Sequence, residues 1–348
     1  MTIHDIFVSL TRNAFDFLEH SIAEFGKFPK YSAIHFYMAI EMLLKARLMK
    51  EHWTLIVSKP EQACFNKFIN GEFLSVTLKD AKERLRNIAN EDIGGDAYNS
   101  FCMLANHRNK MVHFFHSGLD SDEKVKEQIV AEHCRSWFYL HRLLIRWNDH
   151  FSDFSSEIDR ANHAMKKHRK YLAAKFTALK AELGAARKAG NAPRLCSACD
   201  FKAAVPNCLD NQIALLHCLV CDHTETQVKI ECPHCGKSIV IKNEGYAECG
   251  YCKGSIEPNH LEDALTDHDV AHIAIKDGDD TCNPVNCGTC GGYQTVILRG
   301  NHYFCTECFD ISNGIEQCKW CTEYSTSDME DSYLVGCNHC DGKWLGEG

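Results

Sequence analysis

The sequence predicts a multidomain chain: an all-α helical bundle, a long linker helix, then four small β-rich units held by cysteine. Three observations predict it. Apolar residues in the first half recur at three- and four-residue steps, good helix formers dominate residues 155–189, and sixteen of the 21 cysteines stand in eight C-x-x-C pairs after residue 195. At 348 residues and 45% apolar content, the chain exceeds one ordinary domain and can build at least one packed core.

Ile3, Ile6, Phe7, Leu10, Ala14, Phe17 and Leu18 place one stripe on a first helix, which Gly26 and Pro29 end. A second helix over about 31–50 carries Ile34, Met38, Met42 and Ala46 together with Ile40, Leu43, Leu44 and Leu48. That belt is too wide for a surface helix and belongs inside a bundle. Further patterns cover 78–89, 97–115 and 121–151, the last opened by Ser121, Asp122 and Glu123 in cap and first-turn positions. Together these make a helical bundle over residues 1–152.

Residues 153–192 form a basic linker helix closed by Gly190 and Pro193. Its Lys166, Lys167, Arg169, Lys170, Lys175 and Lys180 make either a solvated face or an RNA contact.

After Pro193 the helical period stops. The pairs run Cys196/Cys199 with Cys218/Cys221, Cys232/Cys235 with Cys249/Cys252, Cys287/Cys290 with Cys305/Cys308, and Cys318/Cys321 with Cys337/Cys340, separated by 18, 13, 14 and 15 residues. Two residues between thiolates let a tight turn aim both sulfurs at one ion, and these gaps hold a short hairpin, which is the arrangement of a zinc ribbon. The array reads as ribbon 1 over 193–225, ribbon 2 over 226–256, a helical connector over 257–281, ribbon 3 over 282–312 and ribbon 4 over 313–348. It implies about four structural zinc ions, although neighbouring pairs are free to exchange partners. Pro233, Gly236, Gly250, Gly288 and Gly291 sit in or beside the turns, where fixed or positive φ is wanted; VKIECPHC and QTVILRGNHYFC read as flanking strands. Disulfides suit a secreted chain, and thioredoxin-like redox pairs need a βαβ setting that is missing here. Cys64, Cys102, Cys134, Cys208 and Cys282 stand outside the pairs and read as small buried hydrophobes.

Charge divides unevenly. Residues 1–193 hold 28 Lys and Arg against 23 Asp and Glu, a net of +5, whereas residues 194–348 hold 10 against 24, a net of −14. Four thiolates on Zn²⁺ sum to a further −2 per site, so simple electrostatics will not hold a polyanion there. That disfavours a DNA-binding ribbon array and leaves Arg299, His302 and Tyr303 as isolated edges for stacking bases. The opening carries Asp5, Arg12 and Asp16 where a secretory signal is apolar, and no stretch reaches the ~18 apolar residues of a membrane span, so a cytoplasmic location is expected.

Zinc with four thiolates has no open position and supports folding, so any chemistry belongs elsewhere. The fourth long helical pattern contains N-H-R-N-K-M-V-H, in which Asn109 and His113 share a face and Arg108 stands about 140° around the helix from His113. This R-x4-H run, with the second-helix segment A-I-E-M-L-L-K-A-R-L, resembles the HEPN superfamily of helical bundles over about residues 1–150. The resemblance implies a homodimer through the bundle whose composite site, Arg108, Asn109 and His113 from each protomer, cleaves RNA without a metal: a ribose 2′-OH attacks its own 3′-phosphate. It further implies a role in phage defence or as a toxin. Histidine can move the proton and arginine can hold the phosphorane oxygens. Glu41 and Lys45, one turn apart on the second helix, either face the same cleft or simply stabilise their helix as an i,i+4 pair. His107 and His116 read as flanking residues, and Phe115 stands where family members controlled by adenylylation carry Tyr. The ribbons then serve as a sensor for a protein trigger or inhibitor, or as an RNA-recognition array. The competing reading is a non-enzymatic adaptor, in which Arg108 and His113 belong to a salt-bridged helix and the ribbons bind protein or nucleic acid.

Overall fold

A computed structural model of the chain describes residues 2–113, 122–266 and 284–345. Two compact units follow one another, Met1–Glu182 and Leu183–Gly348. Phe115, His116, Ser121 and Cys282 lie outside the described residues. Among those residues no helix is long and apolar enough to cross a membrane.

The first unit is helical. Helix α1 (Ile3–Glu24) opens on a capping box: the Asp5 N–H donates to Thr2 Oγ1 at 3.1 Å and the Thr2 N–H to Asp5 Oδ2 at 2.7 Å. Gly26, at φ +79°, turns the chain into α2 (Pro29–Glu51), where Pro29 occupies a first-turn position needing no N–H. A short α3 (Phe65–Ile69), α4 (Leu78–Asn87), α5 (Gly95–His113) and α6 (Glu123–Arg146) follow. Helices α1, α4, α5 and α6 all pack on α2, which is why its apolar belt wraps so far round. Phe36, Ala39, Ile40, Leu43, Ala46 and Leu48 are all sealed from solvent. Asp122 caps α6, accepting from the Lys124 N–H at 2.9 Å. Helix α6 stops at Trp147, which is fully buried, and the short α7 (Asn148–Phe151) completes the span expected as one helix.

The expected linker helix is three helices: α8 (Ser155–Lys166), α9 (Arg169–Ala178) and α10 (Lys180–Lys188). The chain leaves helical geometry at His168, with φ −94° and ψ 113°, and again at Leu179. Packing explains the break. Ile158, Ala161 and Met165 face α1, whereas Tyr171, Leu172 and Leu179 are buried where α9 meets α6, and a straight helix cannot serve both contacts. Burying a large apolar side chain contributes roughly 1.5–3 kcal/mol, against about 1 kcal/mol for each helical hydrogen bond lost at the bend. Most of the segment therefore belongs to the first unit. The basic run breaks with it: Lys175 is buried, and Lys170 lies 3.8 Å from Glu127.

The second unit is β-rich. Strands β1 (Arg194–Leu195), β2 (Lys202–Cys208), β3 (Ile213–Cys218), β4 (Thr224–Glu231) and β5 (Ser238–Lys242) form one antiparallel sheet in sequence order. Strand β4 runs through residues 225 and 226, where the sequence suggested a boundary, so ribbons 1 and 2 share this sheet. A pair, β6 (Ala247–Glu248) and β7 (Ser255–Ile256), leads into α11 (Pro258–Leu265), which is no mere connector because Leu261 and Leu265 enter the core. The third ribbon contributes β8 (Val296–Arg299), β9 (His302–Cys305) and β10 (Ile311–Ser312), and the fourth contributes β11 (Glu316–Gln317), β12 (Tyr324–Ser325), α12 (Ser332–Val335) and α13 (Gly342–Leu345).

One apolar cluster joins Val228 and Ile230 of the large sheet, Leu261 of α11, and Ile297, Phe304 and Phe309 of ribbon 3. Arg299 fastens the same elements: its Nε and Nη2 donate to Asp210 Oδ2 at 2.9 and 2.7 Å, Nη2 donates to Gln212 Oε1 at 3.0 Å, and Nη1 donates to the Leu265 carbonyl. Burial raises the Asp210 carboxyl, but N–H groups of Gln212 and Ile213 and the Arg299 guanidinium outweigh it and hold the group below its ordinary range. Arg299 is thus consumed within the fold and offers no basic edge to nucleic acid.

A buried histidine makes the first unit sensitive to acid. His133 is enclosed beneath Phe36, 4.1 Å away and stacked at 9°, and lies 3.2 Å from Ser32 Oγ. Burial, and then His168 nearby, push its pKa from 6.5 down to about 3. The unfolded chain therefore binds a proton that the folded chain refuses, so stability falls as the pH drops from 6.5 toward 3. Thermal melts of the helical signal across that window should show this slope in the unmodified protein and a shallower one in His133→Gln.

Candidate functional site

Each cysteine group begins with two tight turns. In all eight C-x-x-C turns except the last, the residue after the second cysteine takes positive φ: Asp200, Asp222, Gly236, Lys253, Gly291, Phe309 and Thr322, between 59° and 73°. That conformation folds the backbone around sulfur: the N–H of this residue donates to the carbonyl of the first cysteine, as from Gly236 to Cys232 at 2.8 Å and from Phe309 to Cys305 at 3.0 Å. Gly236 and Gly291 therefore fill the role expected of them. Gly250 does not have positive φ, and Gly288 is needed for space, since a Cβ there would stand 2.7 Å from the Ser327 nitrogen. In the last turn, Gly336 and Gly342 supply positive φ on either side of Cys337 and Cys340.

The turns converge pairwise. Four groups form, Cys196/Cys199/Cys218/Cys221, Cys232/Cys235/Cys249/Cys252, Cys287/Cys290/Cys305/Cys308 and Cys318/Cys321/Cys337/Cys340, with all four sulfurs of each group within 4.8 Å of one another. This decides the pairing. Closest sulfur separations run from 3.6 Å for Cys196–Cys221 to 3.9 Å for Cys235–Cys249. Four sulfurs about 2.3 Å from a tetrahedral ion lie about 3.8 Å apart, whereas a disulfide requires about 2.05 Å. The clusters fit structural zinc in number, donor type and spacing. Backbone donors alone cannot stabilise four thiolates. The N–H groups of Cys252 and Tyr251 draw Cys249 down to about 6, while burial pushes Cys308 up to about 12. A divalent cation at the centre of such a cluster would supply the missing charge. Of the cysteines outside the pairs, Cys134 is buried as expected; Cys102 is half-buried, and Cys64 and Cys208 are exposed.

In the first unit, the polar residues singled out on α2 and α5 meet. Arg108 Nη2 lies 3.3 Å from Glu41 Oε2, and Nη1 donates to Asn109 Oδ1 at 2.9 Å. Lys45 Nζ donates to Glu41 Oε1 at 2.8 Å and to Ser75 Oγ at 2.9 Å. The guanidinium rests 4.9 Å from the centre of the Tyr37 ring. Burial first, then the Glu41 carboxylate, push the Tyr37 hydroxyl up to about 12, so it remains a neutral donor. Arg108 Nε is buried without a hydrogen-bond partner among the described residues. His113, one turn beyond Asn109 at the end of α5, is exposed and makes no hydrogen bond or ion pair among those residues. The structure thus joins Glu41, Lys45, Arg108 and Asn109 in one network and leaves His113 outside it.

No family model, curated protein or solved structure matches this chain.

Two partners in this network escaped the sequence reading. Tyr37, Glu41 and Lys45 stand at i, i+4 and i+8, so their shared face was readable. Ser75 lies thirty positions from Lys45 and left no local signal. His107, read as flanking, lies 2.6 Å from Glu132 on α6. Burial raises the Glu132 carboxyl, but hydrogen bonds from His107 and Gln128 prevail and lower it. That pair seals the α5–α6 seam.

Because ribbons 1 and 2 share a sheet and ribbon 3 joins them in one core, damage should spread unequally. Cys249→Ser should cost amide protection across about 213–309, and Cys321→Ser only beyond about 313, with the helices of the first unit protected in both. Hydrogen exchange resolved by peptide reads this directly. Loss confined to 226–256 in Cys249→Ser would mean that the ribbons fold separately.

Proposed function

We propose that this chain is a metal-independent endoribonuclease of the HEPN type, acting as a homodimer through its helical bundle. The observation that carries the reading is the convergence of Glu41 and Lys45 from α2 with Arg108 and Asn109 from α5. Beside them, one turn on, stands an exposed histidine. In this reading Glu41 and Tyr37 set the guanidinium, and Asn109 orients it. His113 takes the proton from a ribose 2′-OH, whose oxygen attacks the adjacent phosphorus. The P–O5′ bond breaks, the leaving oxygen takes a proton from the second protomer's protonated histidine, and a 2′,3′-cyclic phosphate and a 5′-hydroxyl result, while Arg108 neutralises the phosphorane oxygens. The second protomer's copy of α5 completes the site, since His113 has no partner among the described residues.

The four cysteine groups hold four structural zinc ions, and the acidic ribbon array recognises a protein trigger or inhibitor or a particular RNA. The enzyme belongs to the cytoplasm and serves in phage defence or as a toxin. One observation favours the non-enzymatic adaptor instead: Glu41 already neutralises Arg108 within the protomer.

The test is digestion of a labelled RNA with analysis of the ends. Cleavage should persist through a short exposure to EDTA, yield cyclic phosphate, and fail on an all-deoxy strand. Arg108→Ala and His113→Ala should each lower the rate by at least ~100-fold without dissolving the dimer, because each removes a group used mainly in the transition state. Unchanged activity in both variants, or cleavage of DNA, would hand the case to the adaptor reading.

A further inference from the structure

A groove opens on the side of the first unit where α5, α6 and α9 come together. It encloses about 760 Å³, within the ~300–1,000 Å³ range of small-molecule sites. Its floor follows the stripe of α6 from Glu127 through Ala131 and Arg135 to Tyr139, twelve residue steps and therefore about 18 Å long. Alanines at 131, 173, 174 and 178 leave the space unfilled.

Three features point to an occupant. Ser100, in the α5 wall, is 3% exposed, and its hydroxyl has no hydrogen-bond partner among the described residues. A buried hydroxyl of this kind is costly unless something pairs with it, and a helical serine usually finds the carbonyl one turn back. Arg135 stands exposed over the middle of the groove, with no ion pair or hydrogen bond among the described residues. Tyr139 and Asp96 line the far end. At the near end Lys170 and Glu127 lie 3.8 Å apart, both 62% exposed, an ion pair weak enough to yield Lys170 to a stronger anion.

We propose that this groove binds a nucleoside monophosphate. Arg135, joined by Lys170, receives the phosphate. Tyr139, one helical turn and about 6 Å along from Arg135, stacks on the base, a separation that one ribose spans. Asp96 accepts from the ribose hydroxyls, and Ser100 gains the partner that it lacks. The small alanine side chains leave space for a flat ring. The site is separate from the Arg108 network, which faces α2, and it does not rest on the ribonuclease reading.

Titration calorimetry of the full metal-loaded chain with AMP, GMP, CMP and UMP tests this. At least one should bind with Kd below about 1 mM. Arg135→Glu and Ala131→Trp should each weaken that binding by at least about ten-fold. Both positions are exposed, so neither change disturbs the core. Arg108→Ala should leave nucleotide binding unchanged, and inorganic phosphate should not compete at equal concentration. The proposal is overturned if no nucleotide binds, or if binding survives both groove variants. It is equally overturned if Arg108→Ala alone abolishes binding, or if inorganic phosphate competes as well as a nucleotide, leaving an anion site only.

Discussion

Sulfur geometry governs the second unit. Several of its strands are only two residues long, and segments that short cannot hold a register by backbone hydrogen bonds alone. What brings them together is the closure of two turns on one tetrahedron of thiols, repeated four times. Each closure fixes both ends of a hairpin, and the hairpin then has only to cover its own apolar face. Four thiolates in so small a volume call for a compensating cation, and where a cysteine cluster of this kind takes up a metal, binding and folding are coupled.

That local solution does not make four independent beads. Phe304 and Phe309 of the third ribbon insert among residues of the large sheet and of α11, and the Arg299 guanidinium spans to Asp210, Gln212 and the end of α11. A small unit that cannot bury enough surface alone gains stability by lending an apolar face to its neighbour. The fourth ribbon has no residue in that cluster. Its knuckle with glycine on both sides departs from the pattern of the other seven.

The first unit organises its polar groups the opposite way, burying a few of them where they constrain one another. Glu41 holds Lys45 and Arg108, Tyr37 lies beneath the guanidinium, and Ser75 ties Lys45 to the loop before α4. Removing one member leaves its partners with unmet charge, so such a network specifies an arrangement more than it adds stability. The same logic holds at the α5–α6 seam for His107 and Glu132. The groove beside α9 differs in lying open to solvent while its Arg135 has no ion pair and its Ser100 hydroxyl no hydrogen bond among the described residues.

Local chemistry explains what could be read from the residues alone. Helix spans, the cap at Asp122, and the sixteen clustered cysteines depend on spacings of a few residues, so periodicity and C-x-x-C turns carried them. The meeting of Tyr37, Glu41 and Lys45 on one face of α2 was equally local. Tertiary structure decided whatever depended on partners distant in sequence. It chose which knuckles cluster together, because either neighbour of a C-x-x-C pair satisfies the local turn. It divided the helix expected over 155–189, because the two apolar stripes along it find different helices to cover. It joined the ribbons through β4 and Phe304, because a strand does not record which edge it will meet. It placed Ser75 on Lys45 and Asp210 on Arg299, contacts made across 30 and 89 residues, for which no period in the sequence exists.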